Sequence, residues 1–266
     1  MRRYGQETIA EGIHTKWAGK TVHFVRETDS TNLLAKRLAG QGAPHGTLVA
    51  AEYQSAGRGR LGRSWQSPPG SAVMMSLLLF PKFRPEYASM LTLVMGLSVA
   101  QAVQSLGLPV SIKWPNDVVV SHKKICGILT EMDLDGEKIR QVVIGVGINV
   151  NTEEFPPEVA DKATSLLLEA GHPIDRSLLP GLIMENFEKN YERFVQTCDL
   201  SLLRAEYEAL LANKNQPVRV LAAENPYEGT ALGITPTGEL LVERKDKTVA
   251  CVNAGEVSVR GLYSYV

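Results

Sequence analysis

Three arginines stand close together in a glycine-rich stretch of the chain. They are Arg58, Arg60 and Arg63, within residues 57–63, which read GRGRLGR. Guanidinium groups offer forked donors to carboxylate and phosphate oxygens, and glycine lets the backbone approach a ligand closely. The segment predicts an anion-binding loop; a solvated flexible loop and an arginine–glycine segment that binds nucleic acid are the alternatives with the same composition.

The same segment also matches Gly-x-Gly-x-x-Gly, the dinucleotide-binding pattern, and follows a predicted strand. That pattern works only where a helix begins directly afterwards, because the pyrophosphate rests on the helix N-terminus. Residues 63–70 read RSWQSPPG, which predicts turns rather than a helix. We therefore expect no dinucleotide-binding fold.

Two lysines precede or interrupt apolar strands. Lys113 opens the run KWPND at residues 113–117, and Lys124 precedes ICGIL at residues 125–129. Such a lysine either guards an exposed strand edge or points into a site whose floor is the sheet. Glycines within the strand GVGIN, at residues 145–149, indicate either close approach of a ligand or a bulge.

This set of residues contains cations, amides and glycines, but no evident nucleophile or acid–base pair. The sequence has no G-x-S-x-G motif and no phosphate-binding P-loop, and its five histidines share no metal-binding spacing. Such a set suits chemistry in which charge stabilisation dominates. Attack of a carboxylate on the α-phosphate of ATP is a reaction of that kind.

The overall composition argues against several classes of protein. The chain has 266 residues, is 44% hydrophobic and carries a net charge of −1, which argues against a basic surface for nucleic acid. Its three cysteines are far apart, which predicts reduced thiols rather than a disulfide framework or a zinc site. The apolar runs at residues 73–80 and 91–103 are too short or too interrupted to span a bilayer. We expect a cytoplasmic protein without a membrane partner.

The elements that must position these residues alternate between helix and strand over most of the chain. Hydrophobic periodicity and capping residues predict strands at 22–25, 47–54 and 71–80, a helix from 29 to 40, a long amphipathic helix at 86–106, strand pieces at 110–114 and 118–120, a hairpin of 124–133 with 138–150, and a helical stretch from 175.

The pattern changes near residues 211–216. Short strand-like runs follow at 218–221, 230–234, 239–243, 248–252 and 257–262. Short strands separated by turn residues predict a small barrel. We therefore divide the chain into a larger first domain, residues 1–213, and a C-terminal domain, residues 214–266.

Five motifs in a fixed order resemble those of the biotin protein ligases. They are DSTN (29–32), EYQSAGRGRLGRSW (52–65), KWPND (113–117), KICGIL (124–129) and GVGIN (145–149). The resemblance runs from about residue 22 to the C-terminal region. It implies an α+β fold, in which a class II aminoacyl-tRNA synthetase-like catalytic domain has a mixed sheet flanked by helices, followed by an SH3-like C-terminal barrel.

The resemblance also implies a two-step reaction. Biotin and ATP, with Mg²⁺, would give biotinyl-5′-AMP and pyrophosphate. The biotinyl group would then pass to one lysine of a biotin carboxyl carrier protein, such as that of acetyl-CoA carboxylase.

Roles for individual residues follow from the same resemblance. It implies catalytic roles for Lys124 and Arg60 and makes Asp117 a candidate for magnesium contact. The implied biotin-binding residues are Ser30, Thr31, Asn32, Gln54, Arg58, Gly59, Arg60 and Lys124. The implied residues for ATP or the adenylate are Arg58, Arg63, Trp65, Lys113 and Asn149.

One departure from the family concerns nucleic acid. Some members carry an N-terminal DNA-binding domain, but only 29 residues precede Ser30 here. We therefore expect a monofunctional ligase with no nucleic-acid partner, and the resemblance suggests a homodimer.

Two other functions compete with that of a biotin protein ligase. One is a lipoate or octanoate transferase, but those enzymes lack the GRGR and KWPND motifs. The other is a nucleic-acid-binding module, which the net charge disfavours.

Overall fold

A seven-stranded sheet forms the centre of the protein. The structure is a computed structural model that describes residues 2–221, 226–254, 258–261 and 265–266. The strand order is β1-β2-β3-β7-β6-β5-β4; β1 and β2 are parallel, and every other neighbouring pair is antiparallel. The strands are β1 (Val22–Thr28), β2 (Thr47–Gln54), β3 (Ala72–Leu79), β4 (Val110–Lys113), β5 (Asp117–Val120), β6 (Lys123–Asp135) and β7 (Lys138–Asn149).

Helices cover both faces of this sheet. On one face, α2 packs against β2, β3 and β7, and on the other α3 packs against α5 and the sheet. The α+β class with a mixed sheet between helices is thereby confirmed. The helices are α1 (Gln6–Glu11), α2 (Thr31–Gly40), α3 (Leu91–Gln104), α4 (Leu166–Ala170), α5 (Leu178–Thr197) and α6 (Arg204–Leu210).

The predicted amphipathic helix at 86–106 was wrong in two respects. A 3₁₀ turn, Pro85–Met90, comes first, and the α-helix that follows is buried on nearly every side. The reason is its position between the sheet and α5, which leaves it no wet face. Residues 85–104 are long and apolar enough to cross a membrane by length and composition, but most of this segment lies inside the protein.

The C-terminal strands form a separate five-stranded antiparallel sheet. Its order is β11-β10-β9-β8-β12, which confirms the predicted change to short strands. The last strand was predicted at residues 257–262, and its two end residues lie outside the described residues. The domain boundary at 213/214 stays a prediction. The strands are β8 (Pro217–Leu221), β9 (Tyr227–Ile234), β10 (Leu240–Arg244), β11 (Val249–Val252) and β12 (Ser258–Gly261).

The second sheet is joined to the first beside the KWPND turn. The indole Nε1 of Trp114 donates to the Gly238 carbonyl at 2.9 Å, and the Trp114 amide donates to Asn213 Oδ1 at 2.9 Å. Trp114 is only 1% exposed. This turn is therefore held from both domains, which matters because it carries predicted site residues.

Glu208, on α6, makes several hydrogen bonds at this junction. Its carboxylate accepts hydrogen bonds from Arg204 Nε at 2.8 Å, Lys214 Nζ at 2.8 Å and the Ile234 amide at 3.2 Å. Burial alone would raise the pKa of Glu208, but the hydrogen bonds from Lys214 and Arg204 outweigh burial and lower it to about 2.

Replacing Glu208 by alanine is expected to lower the free energy of unfolding by about 2–3 kcal/mol, because charged hydrogen bonds are lost and the Ile234 amide loses its acceptor. Because the folded pKa is depressed, this stabilisation is present above about pH 4.5 and lost as the pH falls towards 2. Denaturant unfolding at pH 7 and pH 3 measures both effects. Glu206→Ala on the same helix is the control: its ion pair with Arg193 is exposed, so the change should stay below about 1 kcal/mol. Equal losses in the two variants would contradict this role for Glu208.

Candidate active site

Glycines form the floor of a cleft on the α2 side of the sheet. Gly127 in β6 pairs with Gly147 in β7, and Gly145 lies two residues along the same face of β7. A Cβ on Gly147 would lie 2.5 Å from Trp65 Cε2, and a Cβ on Gly145 would overlap Asn32 Oδ1. The pairing of β7 is regular here, so these glycines do not mark a bulge. They let other side chains come close to the strand.

Uncharged polar groups at the start of α2 form one wall. Gln54 Oε1 accepts hydrogen bonds from the Thr31 amide at 2.7 Å and from Thr31 Oγ1 at 3.0 Å. Asn32 Oδ1 accepts from Ser76 Oγ at 2.6 Å. Ser30 is 2% exposed and its hydroxyl makes no cap bond to the helix. This end of the cleft is neutral and rich in hydrogen-bonding groups.

A carboxylate closes the same wall from β6. Glu131 Oε2 accepts from Asn32 Nδ2 at 2.8 Å, and Glu131 Oε1 lies 3.1 Å from Arg58 Nη1. Arg58 therefore spans from the glycine-rich loop to the sheet. In this arrangement its charge is balanced by Glu131.

The glycine-rich loop is the roof of the cleft. Its backbone folds on itself, since the Gly59 amide donates to the Arg63 carbonyl at 2.7 Å and the Trp65 amide to the Gly57 carbonyl at 2.9 Å. Only a 3₁₀ turn, Arg60–Gly62, forms within it, and an extended segment follows, which confirms that no dinucleotide-binding helix begins here. Trp65 lies against the glycine floor.

Arg60 connects the roof to both domains. Its Nη1 donates to Asn116 Oδ1 at 2.9 Å, and its Nη2 donates to the Ala254 carbonyl of the C-terminal domain. The loop is thus tied to the KWPND turn and to the second sheet at one side chain.

Lysines gather at the far end of the cleft around Asp117. Lys124 Nζ lies 2.6 Å from Asp117 Oδ1, the Tyr265 hydroxyl donates to Asp117 Oδ2, and Lys113 Nζ lies 3.6 Å from the centroid of the Tyr265 ring. Burial would raise the pKa of Asp117, but the ammonium groups of Lys124 and Lys113, with these hydrogen bonds, hold it below its ordinary value. Asp117 is therefore ionised and balances the lysines.

The residues do not fit a protein-held magnesium ion. Both oxygens of Asp117, the predicted magnesium contact, are already paired with Lys124 and Tyr265. Over the described part of the chain, no group of three or more His, Cys, Asp or Glu side chains comes together. Mg²⁺ usually binds through carboxylates with open oxygens and through substrate phosphates, so the predicted role of Asp117 as a metal ligand is not supported by its geometry.

The structure brings nearly all the sequence-predicted site residues into this one cleft. The predicted residues that line it are Ser30, Thr31, Asn32, Gln54, Arg58, Gly59, Arg60, Arg63, Trp65, Lys113, Asp117 and Lys124. Asn149 is the exception. It lies at the end of β7, does not line the cleft, and donates from Nδ2 to the Thr164 carbonyl at 3.1 Å.

Sequence reasoning missed Ser76, Glu131 and Tyr265. Ser76 is the single polar residue of β3, and Glu131 follows Gly127 and Leu129 at the two-residue period of one strand face; both signals were present in the sequence. Tyr265 carried no such signal, because its contact with Asp117 spans 148 positions of the chain.

Comparison with known proteins agrees with this geometry. Residues 23–149 match the Biotin/lipoate A/B protein ligase family, and residues 215–260 match the Biotin protein ligase C terminal domain. A solved structure, biotin protein ligase from Aquifex aeolicus in complex with biotin and ATP, superposes with a TM-score of 0.78 at 31% identity and covers 91% of this chain and 99% of its own.

Two curated relatives extend over most of the chain. The bifunctional ligase/repressor BirA of Bacillus subtilis is 37% identical over 247 residues, 92% of this chain and 76% of the relative. The biotin–[acetyl-CoA-carboxylase] ligase of Mycobacterium tuberculosis is 34% identical over 255 residues, 92% of this chain and 91% of the relative. With this similarity along its length and the family's motif residues lining one cleft, the chain belongs to the biotin protein ligase family.

Proposed function

We propose that this protein activates biotin with MgATP to give biotinyl-5′-AMP and then transfers the biotinyl group to a lysine of a carrier protein, such as that of acetyl-CoA carboxylase. One observation carries the proposal: a single cleft has a neutral polar end, a cationic end, and Lys124 beside the glycine floor. Biotin has a neutral ureido ring and an anionic carboxylate, so its two ends match the two ends of the cleft.

The neutral end would hold the ureido ring. Ser30, Thr31, Asn32 and Gln54 supply hydroxyl and amide groups, which are suitable partners for uncharged N–H and C=O groups. The glycine floor leaves space for the apolar bicycle to lie on the sheet.

The cationic end would bring together the reacting groups. A carboxylate oxygen of biotin attacks the α-phosphorus, the bond from phosphorus to the bridging oxygen breaks, and pyrophosphate leaves with that electron pair. The attacking carboxylate is already ionised, so no general base is needed. Lys124 and Arg60 would stabilise the negative charge on the reacting oxygens.

The nucleotide would lie between the roof and the lysines. Arg58, Arg63 and Lys113 would contact the phosphates, Gly59 would let the roof approach them, and Trp65 would pack against adenine. Arg58 would then leave the Glu131 carboxylate and pair with the phosphates of the ligand. Asn149 is held by the Thr164 carbonyl in the structure, so a contact with adenine would require it to change partner. Mg²⁺ enters as part of MgATP.

In the second step, the neutral amine of the carrier lysine attacks the acyl carbon of biotinyl-5′-AMP. An amide bond forms, the bond from the acyl carbon to the phosphate oxygen breaks, AMP leaves with that electron pair, and the amine releases one proton. The protein's part is to shield the mixed anhydride from water until the lysine arrives.

Biotin-dependent exchange of labelled pyrophosphate into ATP tests the first step. We expect exchange with biotin, and none when lipoate or octanoate replaces biotin. Exchange that depends on lipoate or octanoate, and not on biotin, would contradict the proposal in favour of the related transferases.

We also propose several finer properties. The five-stranded C-terminal sheet supports an SH3-like barrel, and the mainly antiparallel central sheet between helices supports a class II synthetase-like domain.

The edge position of β1 supports pairing with a second copy in a homodimer. The net charge of −1 supports a protein that acts as a ligase without a nucleic-acid partner, and the separated cysteines support the cytoplasm.

A further inference from the structure

Tyr265 contacts the cationic end of the cleft although it lies outside both stretches that match the family. Those stretches cover residues 23–149 and 215–260. The Tyr265 hydroxyl donates to Asp117 Oδ2, its ring covers Lys113 Nζ at 3.6 Å, and it lines the cleft. The C-terminal segment thus contributes a side chain to the proposed nucleotide site.

The hydroxyl contact controls how the Asp117 carboxylate is oriented. Asp117 is 8% exposed, so each of its oxygens needs a partner from the protein. With Oδ2 held by the phenol, Oδ1 faces Lys124 Nζ at 2.6 Å. Without the phenol, Oδ2 loses this donor and the orientation of the carboxylate towards Lys124 is less constrained.

The ring contact acts on the other lysine. A cation over an aromatic face is attracted by the ring quadrupole, so the Tyr265 ring stabilises the Lys113 ammonium at its present place. Lys113 is also one of the two charges that lower the pKa of Asp117. The phenol and the ring together keep Asp117 directed to Lys124 while Lys113 stays on the ring.

We propose that Tyr265 is a positioning residue for adenylation, which orients Lys124 through Asp117 and holds Lys113 for the nucleotide. The inference rests on the proposed function, because that function places Lys124 at the reacting phosphate. Tyr265 itself touches no reacting atom; its effect passes through the carboxylate and the ammonium group that it contacts.

Two substitutions separate the contributions of the hydroxyl and the ring. Tyr265→Phe keeps the ring and loses the hydroxyl, so kcat for biotin-dependent pyrophosphate exchange should fall about tenfold with little change in KM for ATP. Tyr265→Leu loses both, so kcat should fall similarly and KM for ATP should also rise about tenfold. Biotin affinity, measured by equilibrium dialysis, should change much less than kcat in both variants, since the residues around the ureido ring are not touched.

Tyr227→Leu is the matched control. Tyr227 also makes a cation–π contact, with Arg244 at 4.4 Å, but it lies in the second sheet and does not line the cleft. It should keep wild-type kcat and KM. A merely structural role for Tyr265 would lower biotin affinity and thermal stability together, without the split between kcat and KM.

Each outcome decides between the two proposals. Wild-type kcat in Tyr265→Phe, or a loss of biotin affinity in step with activity, would overturn the role of Tyr265 alone. If the wild-type protein showed no biotin-dependent exchange, the proposed function would fail and this inference with it.

Discussion

Lys124→Ala should slow biotin-dependent pyrophosphate exchange about a hundredfold, which corresponds to ~3 kcal/mol of lost transition-state stabilisation. The Lys124 ammonium lies beside the glycine floor and is paired with Asp117 at 2.6 Å. A charge held in place before the reaction needs little reorganisation when negative charge moves onto the leaving pyrophosphate. Single-turnover formation of biotinyl-5′-AMP measures the chemical step directly.

The neighbouring Lys123 supplies the control for this substitution. It lies at the start of the same strand, pairs with Val120 and does not line the cleft. Lys123→Ala should therefore retain wild-type exchange. Thermal unfolding of both variants separates a folding defect from a catalytic one. A folded Lys124→Ala protein with near wild-type exchange would remove Lys124 from the reaction.

Gly145→Ala should weaken biotin binding by about 10- to 100-fold, the range expected when an added methyl group meets a well-packed site. The new Cβ would overlap Asn32 Oδ1 and push this amide away from Ser76 and Glu131. Since Asn32 belongs to the proposed ureido pocket, the polar groups that should meet biotin would lose their arrangement. Equilibrium dialysis with labelled biotin gives the affinity.

Gly40→Ala is the matched control for the added methyl group. Gly40 is the last residue of α2, and a Cβ there would meet nothing within 4 Å. Its biotin affinity should equal that of the wild type. If folded Gly145→Ala bound biotin normally, the site of the ureido ring would have to be sought elsewhere in the cleft.

The cationic and glycine-rich residues of the cleft could be predicted from sequence because their chemistry is local. Adjacent arginines and glycines in residues 57–63 indicate an anion-binding loop wherever the loop lies. The glycines of GVGIN indicate that another group comes close to the strand, but they do not identify that group. The structure then supplies the partners, Asn32 at Gly145 and Trp65 at Gly147.

The residues that were missed depend on long-range pairing. Ser76 joins the polar wall only because β3 pairs with β7 so that Ser76 lies opposite Gly145. Glu131 meets Arg58 across the cleft, and Tyr265 meets Asp117 from the other end of the chain. Local patterns mark Ser76 and Glu131 as polar positions on strands, but the partners of all three residues follow from strand register and domain packing.

The burial of α3 was missed for a similar reason. Its apolar residues suggested one buried face, but the helix has the sheet on one side and α5 on the other. Hydrophobic periodicity predicts which face of a helix is buried when the other face borders water. It does not apply to a helix that is covered on both sides.

Mass spectrometry of a purified carrier domain tests the central claim most directly. The domain is incubated with this protein, biotin and MgATP, beside a carrier variant in which the acceptor lysine is replaced by arginine. We predict a mass increase of one biotinyl group on the wild-type carrier, only when biotin and ATP are both present, and none on the variant. An unmodified wild-type carrier under conditions where the protein exchanges pyrophosphate would contradict transfer, and modification without ATP would contradict the adenylate route.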